Sequence, residues 1–234
     1  MRRPGDRAAI ASALALLLWL GVPGCSNPFL PSQPEPPSSG EDDVSVPVDF
    51  STPELVLSTM AAAVSVRDRG NGVSAYLAAL ADSATQGVGA HFDFDPDVVA
   101  ERQGRGYSPP PGGWTVDEHE KAFYKYLPTL NTGDFELTWT DTLTDEAPDA
   151  DHQALNRRYA LVATAPDLST TEFVSRGWAR IEMQQIPGTA GTPARWVVTR
   201  WSDHVLDAQT GPDPSDPGLR CFSRLRIDSF NGLH

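Results

Sequence analysis

The sequence predicts an α+β domain, with helices first and a run of long strands after them. Three observations carry that expectation. Between Ser51 and Leu130 apolar residues recur three and four apart, the spacing of one helix face, whereas from Phe135 onward they alternate. The stretches Thr171–Ile186 and Arg195–Val205 are rich in Val, Ile, Thr and Trp and flank the turn-forming segment Pro187–Pro193, the pattern of a long antiparallel hairpin. Helical segments grouped ahead of the strands, rather than alternating with them, argue against a doubly wound parallel sheet.

The chain opens on a leader. Arg2, Arg3 and Arg7 form a basic start, and Ala8–Leu20 is an apolar run that is too short to span a bilayer comfortably and ends at Gly21 and Pro23. Residues 1–24 read as a signal peptide. Val22-Pro23-Gly24-Cys25 resembles the lipobox of bacterial lipoproteins, although proline is not the commonest residue at its variable position. The resemblance implies cleavage before Cys25 and acylation of its thiol and new amino group. Several acyl chains on one residue give durable anchoring where a single chain is marginal. Serine rather than aspartate follows Cys25, which by the same resemblance directs the protein to the outer membrane of the cell envelope. Residues 25–48 then form a lipidated cysteine and a tether, proline- and serine-rich with the acidic cluster Glu41-Asp42-Asp43. Such a composition buries too little surface to offset its chain entropy, and its prolines keep it semi-extended.

Residues 49–234 are expected to form a single domain. Thr52 or Ser51 caps a first helix, with Pro53 in its first turn and Glu54 at the positive end of its dipole; Val56, Met60, Ala63 and Val64 share one face. A second helix carries Val73, Tyr76, Leu77 and Leu80 and ends by Asp82. His91-Phe92-Asp93-Phe94-Asp95 alternates as a short strand that stops at Pro96, and Arg102–Gly113 reads as irregular. Thr115-Val116-Asp117-Glu118 is a capping box ahead of a third helix with Val116, His119, Phe123, Tyr126, Leu127 and Leu130 on one side, broken or kinked at Pro128. Strands follow at Phe135–Trp139, Arg158–Ala165, Thr171–Ile186 and Arg195–Val205, with a last one around Phe222–Asp228.

Charge and motifs exclude more than they assign. The net charge is −13, and because three arginines and one aspartate precede Cys25 the remainder carries about −15. A field of that sign repels phosphate backbones, so nucleic acid is not an expected partner. No Gly-x-Ser-x-Gly elbow, HExxH or CxxC pair occurs, which removes the common hydrolase, zinc-protease and redox readings; no metal site and no cofactor are expected. With Cys25 acylated, Cys221 has no partner and reads as a buried thiol.

The order of elements resembles the cone-shaped α+β roll of the nuclear-transport-factor-like, ketosteroid-isomerase-like superfamily. The resemblance spans Ser51 to about Phe230. It rests on the Thr-Pro-Glu opening helix, the short second helix before a Phe-Asp-Phe strand, and the strand Trp196-x-Val198-x-x-Trp201-x-Asp203. It implies helices packed into the concave face of a curved, mostly antiparallel sheet with a pocket beneath them. Such a fold licenses no reaction by itself. Its isomerases use an aspartate base with a tyrosine and a protonated acid, and no motif carries those roles to particular residues here, so no catalytic residue is assigned. Asp93, Asp141 and Asp203 are strand-borne acids and Tyr76 or Tyr124 are donors of the right type, but structural hydrogen bonding is the simpler role for each. His91 and Asp93 lie two apart, on one face of a strand, without an evident third metal ligand. Asp203 and His204 point to opposite faces and make no dyad.

Aromatic residues are more informative. Tyr76, His119, Phe123, Trp139, Trp196 and Trp201 are the candidate pocket lining, suited to a small apolar ligand. Trp196 and Trp201 are an odd number of residues apart and face opposite sides unless a bulge lies near Thr199-Arg200. Along Thr171–Ile186, Phe173, Ser175, Gly177, Ala179, Ile181 and Met183 form the helix-packed face. Val174, Arg176, Trp178, Arg180 and Glu182 form its reverse, where Trp178 with Arg176 and Arg180 marks an interface for a protein partner or for a homodimer through the sheet, or else packs on arginine stems. The reading that results is a membrane-anchored envelope lipoprotein with a noncatalytic ligand- or partner-binding domain. The alternative is an isomerase- or dehydratase-like enzyme acting on a small apolar substrate.

Overall fold

The structure, a computed structural model, describes residues 45–66, 69–109, 114–115, 118–130, 133–142, 144–164, 171–205 and 221–232. The leader, Cys25 and nearly all of the tether lie outside the described residues. In chain order the elements are α1 (Pro53–Ser65), α2 (Arg69–Ala78), α3 (Ser83–Gln86), β1 (His91–Asp93), α4 (Pro96–Gly104), β2 (Trp114–Thr115), α5 (Glu118–Leu130), β3 (Asp134–Thr142), β4 (His152–Thr164), β5 (Thr171–Ile186), β6 (Arg195–His204) and α6 (Phe222–Phe230). Helices pack on a six-stranded sheet of order β2-β1-β6-β5-β4-β3. Every pairing is antiparallel except β1 with β6. This is the expected α+β class, helices on a mixed sheet, consistent with a cone-shaped roll. Among the described residues no helix is long and apolar enough to cross a membrane.

The long hairpin forms the middle of the sheet, with Ile186 opposite Arg195 at its turn end and Trp178 opposite His204 at the other. Its inner face is small or apolar: Ser175, Ala179, Ile181 and Met183 are buried, and Leu155, Tyr159, Leu161 and Ala163 continue that face on β4. In β6, Val198 pairs with Met183 and Arg200 with Glu182, so Thr199 is an extra residue, and its hydroxyl donates to the Glu182 carbonyl at 3.2 Å. This bulge reverses the alternation. Trp196 and Trp201 therefore both point into the core, at 5% and 0% exposure.

Helix α1 is capped as its sequence dictates: the Thr52 hydroxyl accepts from Leu55 N at 3.3 Å, with Pro53 in the first turn. Val56, Met60, Ala63 and Val64 are buried. Val46, within the stretch read as tether, is also buried and joins the core.

Three local expectations are corrected. Phe222–Asp228 is a helix, not a strand. Its apolar and charged residues alternate as in a half-buried strand, but Arg226 and Asp228 are themselves buried, so polarity there does not mark a solvent face. The short strand stops before Pro96 as expected, and Pro96 opens α4, with Asp95 as cap accepting from Asp97 N at 2.9 Å and Val98 N at 3.2 Å. That helix takes in Arg102–Gly104, which read as irregular, and Trp114–Thr115 forms an unforeseen strand on β1. Finally, α5 is not broken at Pro128 but continues to Leu130.

Candidate functional site

The sheet, α5 and α6 meet around a buried charge pair. Glu120, on the inward side of α5, is 0% exposed and Arg226 of α6 is 1% exposed. Arg226 donates from Nε to Glu120 Oε2 at 3.2 Å and from Nη2 to Oε1 at 3.1 Å. The same carboxylate accepts from Tyr76 Oη at 2.8 Å and from Trp114 Nε1 at 2.5 Å, so both oxygens are fully engaged. Four rings enclose the guanidinium: its central carbon lies 4.3 Å from the ring centre of Phe92, 4.6 Å from Phe123, 5.0 Å from Trp201 and 5.4 Å from Phe222. The negative faces of aromatic rings attract a cation, most strongly where water is excluded. Burial works against the Arg226 charge, but Glu120 and the neighbouring Tyr76 and Asp203 oxygens outweigh it and raise its pKa. Burial and the Glu120 charge hold Tyr76 well above the ordinary phenol value, so it remains a donor.

A second polar cluster fixes the start of α6. Asp203, inward on β6, accepts from Tyr159 Oη at 2.6 Å and from Ser223 N at 2.5 Å, and Phe222 N donates to Tyr159 Oη at 2.8 Å. Cys221 at the helix N-cap makes no side-chain cap bond, so β4 and β6 supply the acceptors for the first helix N–H groups instead. Ser223 Oγ in turn accepts from Asp95 N at 2.9 Å, and Asp95 Oδ2 accepts from Val205 N at 3.1 Å. Further along, Arg102 of α4 meets Asp228 of α6 at 2.5 Å, and Arg224 bonds Glu101. Burial pushes the Asp203 carboxyl above its usual range, pushes Tyr159 and Cys221 well above theirs, and leaves Cys221 an unreactive thiol.

Of the nominated lining residues, three converge on this centre: Phe123 and Trp201 wall the guanidinium, and Tyr76 holds its counter-ion. Trp139 stands one ring away, 5.6 Å from Trp201, with its N–H on the Leu57 carbonyl at 3.0 Å. His119 lies behind Trp114, its ring 5.3 Å from that indole and 5.5 Å from Phe230. Trp196 is apart, near the hairpin turn, where its backbone N–H donates to Phe50 O at 2.8 Å. A separate open groove of about 450 Å3 runs outside, between Val46–Val48 and Ser74, Ala75 and Ala78 of α2.

The reverse face of the sheet carries the interface candidates. Trp178 stacks on His204 at 3.9 Å between ring centres, and Arg180 bonds Glu182 and lies 3.0 Å from Glu146. Arg176 stands on the same face, opposite Ala160. Nearby, Arg200 donates to Asp93 at 2.6 Å and His91 lies 3.2 Å from the same acid. Burial presses the Asp93 carboxyl up, but its bonds from Arg200 and Ser202 prevail and hold it below the ordinary range. Among the described residues no group of three His, Cys, Asp or Glu is placed to hold a metal ion.

Sequence reading missed the partners of these residues: Glu120, Arg226, Trp114 and Tyr159. Glu120 sits between His119 and Lys121 and looks like a solvent position. The available signal was its spacing, three residues before Phe123 and so on the buried side of α5.

No protein-family model matches the chain, and no curated protein sequence matches it. Solved structures similar to it include a putative scytalone dehydratase from Novosphingobium aromaticivorans (9% identity, 66% of this chain and 81% of that one, TM-score 0.41). Others are the beta subunit of a putative aromatic-ring-hydroxylating dioxygenase from the same organism (9%, 66% and 88%, TM-score 0.40) and an NTF-2 like protein of unknown function from Shewanella oneidensis (15%, 63% and 92%, TM-score 0.35). Likeness at this level says nothing of reaction or ligand.

Proposed function

We propose that this chain is a lipid-anchored protein of the bacterial cell envelope, probing its surroundings through a noncatalytic binding domain. The observation that carries the noncatalytic reading is that three interior acids, Glu120, Asp203 and Asp95, already serve protein donors. Both oxygens of Glu120, of Asp203 and of Asp95 accept hydrogen bonds from protein donors. A general base must hold its oxygen within hydrogen-bond reach of the proton it takes, and these oxygens face protein donors instead. The anchoring half of the reading stands on the leader and on Cys25, and binding of a protein partner, or of a second copy through the Trp178 face, stands on sheet placement.

One experiment separates this from an isomerase- or dehydratase-like enzyme. A base kept for chemistry is retained at some cost to stability, so replacing it leaves the fold unchanged or steadier. An acid that caps α6 does the opposite. At about pH 4, where the Asp203 contribution is still complete, Asp203→Asn should lower the melting temperature by several degrees, as should Tyr159→Phe; an Asp203→Asn protein at or above the wild-type midpoint there would return the enzyme to first place. For the anchor, metabolic labelling with a clickable fatty acid should mark wild type and leave Cys25→Ala blank.

A further inference from the structure

The Glu120 centre has the composition of a receptor for a positive charge. An anion is fixed by three donors on α2, β2 and α6, and aromatic faces surround the space in front of it. Such cages recognise guanidinium and quaternary ammonium head groups. A buried ion pair is a poor choice if stability alone is at stake, because apolar residues of similar volume generally do as well or better. One wall also carries an unspent polar group: Trp201 is fully buried, yet its indole N–H has no hydrogen-bond partner. Phe92, Phe123, Trp201, Tyr76, Trp114 and Glu120 all stand on elements other than α6, so the acid and most of the cage belong to the body of the domain. The helix that supplies Arg226 is seated by buried Phe222, Leu225 and Ile227 and is tied at its polar residues to Asp203, Asp95, Arg102 and Glu101.

We infer that this centre is a binding site for an organic monocation, with Arg226 as the occupant that holds it in the unliganded protein. The ligand class is a small guanidinium or quaternary ammonium compound, and a hydrogen-bond acceptor beside its charge would meet the Trp201 N–H. On binding, Arg226 leaves Glu120 and the ligand's head group takes its place among the rings. The inference rests on the noncatalytic reading and gives that binding domain its ligand.

The test uses the full-length protein and methylguanidinium as probe, with methylurea as its neutral shape-mate and sodium chloride for ionic strength. The indole N–H resonances of Trp114 and Trp201 report on the site. Wild type should show a saturable shift with methylguanidinium and none with methylurea. Arg226→Ala removes the internal competitor, so its apparent affinity should rise about tenfold or more. Arg226→Met, which fills the space without charge, provides the second variant should the alanine protein not fold, and it too should bind more tightly than wild type. No saturable shift in wild type, or an equal shift with methylurea, overturns the inference. So does an affinity unchanged in both variants. None of these results touches the Asp203→Asn melting test, so the two readings fail separately.

Discussion

The two faces of the β5–β6 hairpin hold the same chemistry under opposite conditions. On the inner side Arg226 and Glu120 pair at 3.1 Å with essentially no solvent; on the outer side Arg200 and Asp93 pair at 2.6 Å with half and a third of their side chains exposed. The outer distance is shorter, and the outer pair contributes less. Water already solvates its charges and its long side chain is ordered for little return, so a pair of this type adds at most about 1 kcal/mol. Inside, each charge depends on the other, because no water replaces a missing partner. Distance alone is therefore a poor guide to what an ion pair does for this fold.

The comparison is easiest to break at Glu120. Glu120→Ala should cost about 3–5 kcal/mol in urea denaturation by stranding the Arg226 charge. A loss as small as that of the outer pair would mean that water reaches the centre. Replacing both partners, Glu120→Leu with Arg226→Met, should recover the part of the loss that comes from the stranded charge but not the part from the Tyr76 hydroxyl and Trp114 N–H, which lose their acceptor. Gly177→Ala comes next. A methyl group there would collide with the Tyr159 hydroxyl and lie 2.8 Å from the His204 carbonyl, so about 1–3 kcal/mol should be lost through overpacking. On the outer face, Arg200→Ala should cost no more than about 1 kcal/mol, and that cost should shrink further as salt is added.

Acid titration sharpens the contrast by its sign. Asp93 is held below its unfolded value, so its contribution is present above about pH 4 and is lost as pH falls through its folded value. Asp203 is raised by burial, so its contribution is complete below about pH 4 and declines as pH rises through its folded value. Stability measured from acid to neutral pH should then show the cost of Asp93→Asn growing and that of Asp203→Asn shrinking. Two costs that move together would contradict the assigned environments.

What could be read from the sequence follows the same division. The hairpin, its inner row of Ser175, Ala179, Ile181 and Met183, and the capped start of α1 were legible because period and cap chemistry act locally. The half-buried His91–Asp93 pair was legible for the same reason. The centre was not, because Glu120 and Arg226 lie 106 residues apart and each alone looks like an ordinary surface charge. Tyr76, Phe123 and Trp201, nominated to line a pocket for a small apolar ligand, do meet there, around the Arg226 side chain and its counter-ion. Helix α6 was misread because alternation signals a strand only when the polar set faces water.

Thr199 has a consequence that goes beyond packing. It acts as a phase shift in the strand: residues before it and residues after it obey opposite parity rules. Were Thr199 drawn into an unbroken ladder, Trp201 and Asp203 would turn out toward solvent and Arg200, Ser202 and His204 inward, removing a cage wall and the α6 cap in one event, whereas deleting Thr199 outright would restore plain alternation with both still inward. A strand lacking the extra position would keep the same inward set, with its two tryptophans an even number of residues apart instead of an odd one.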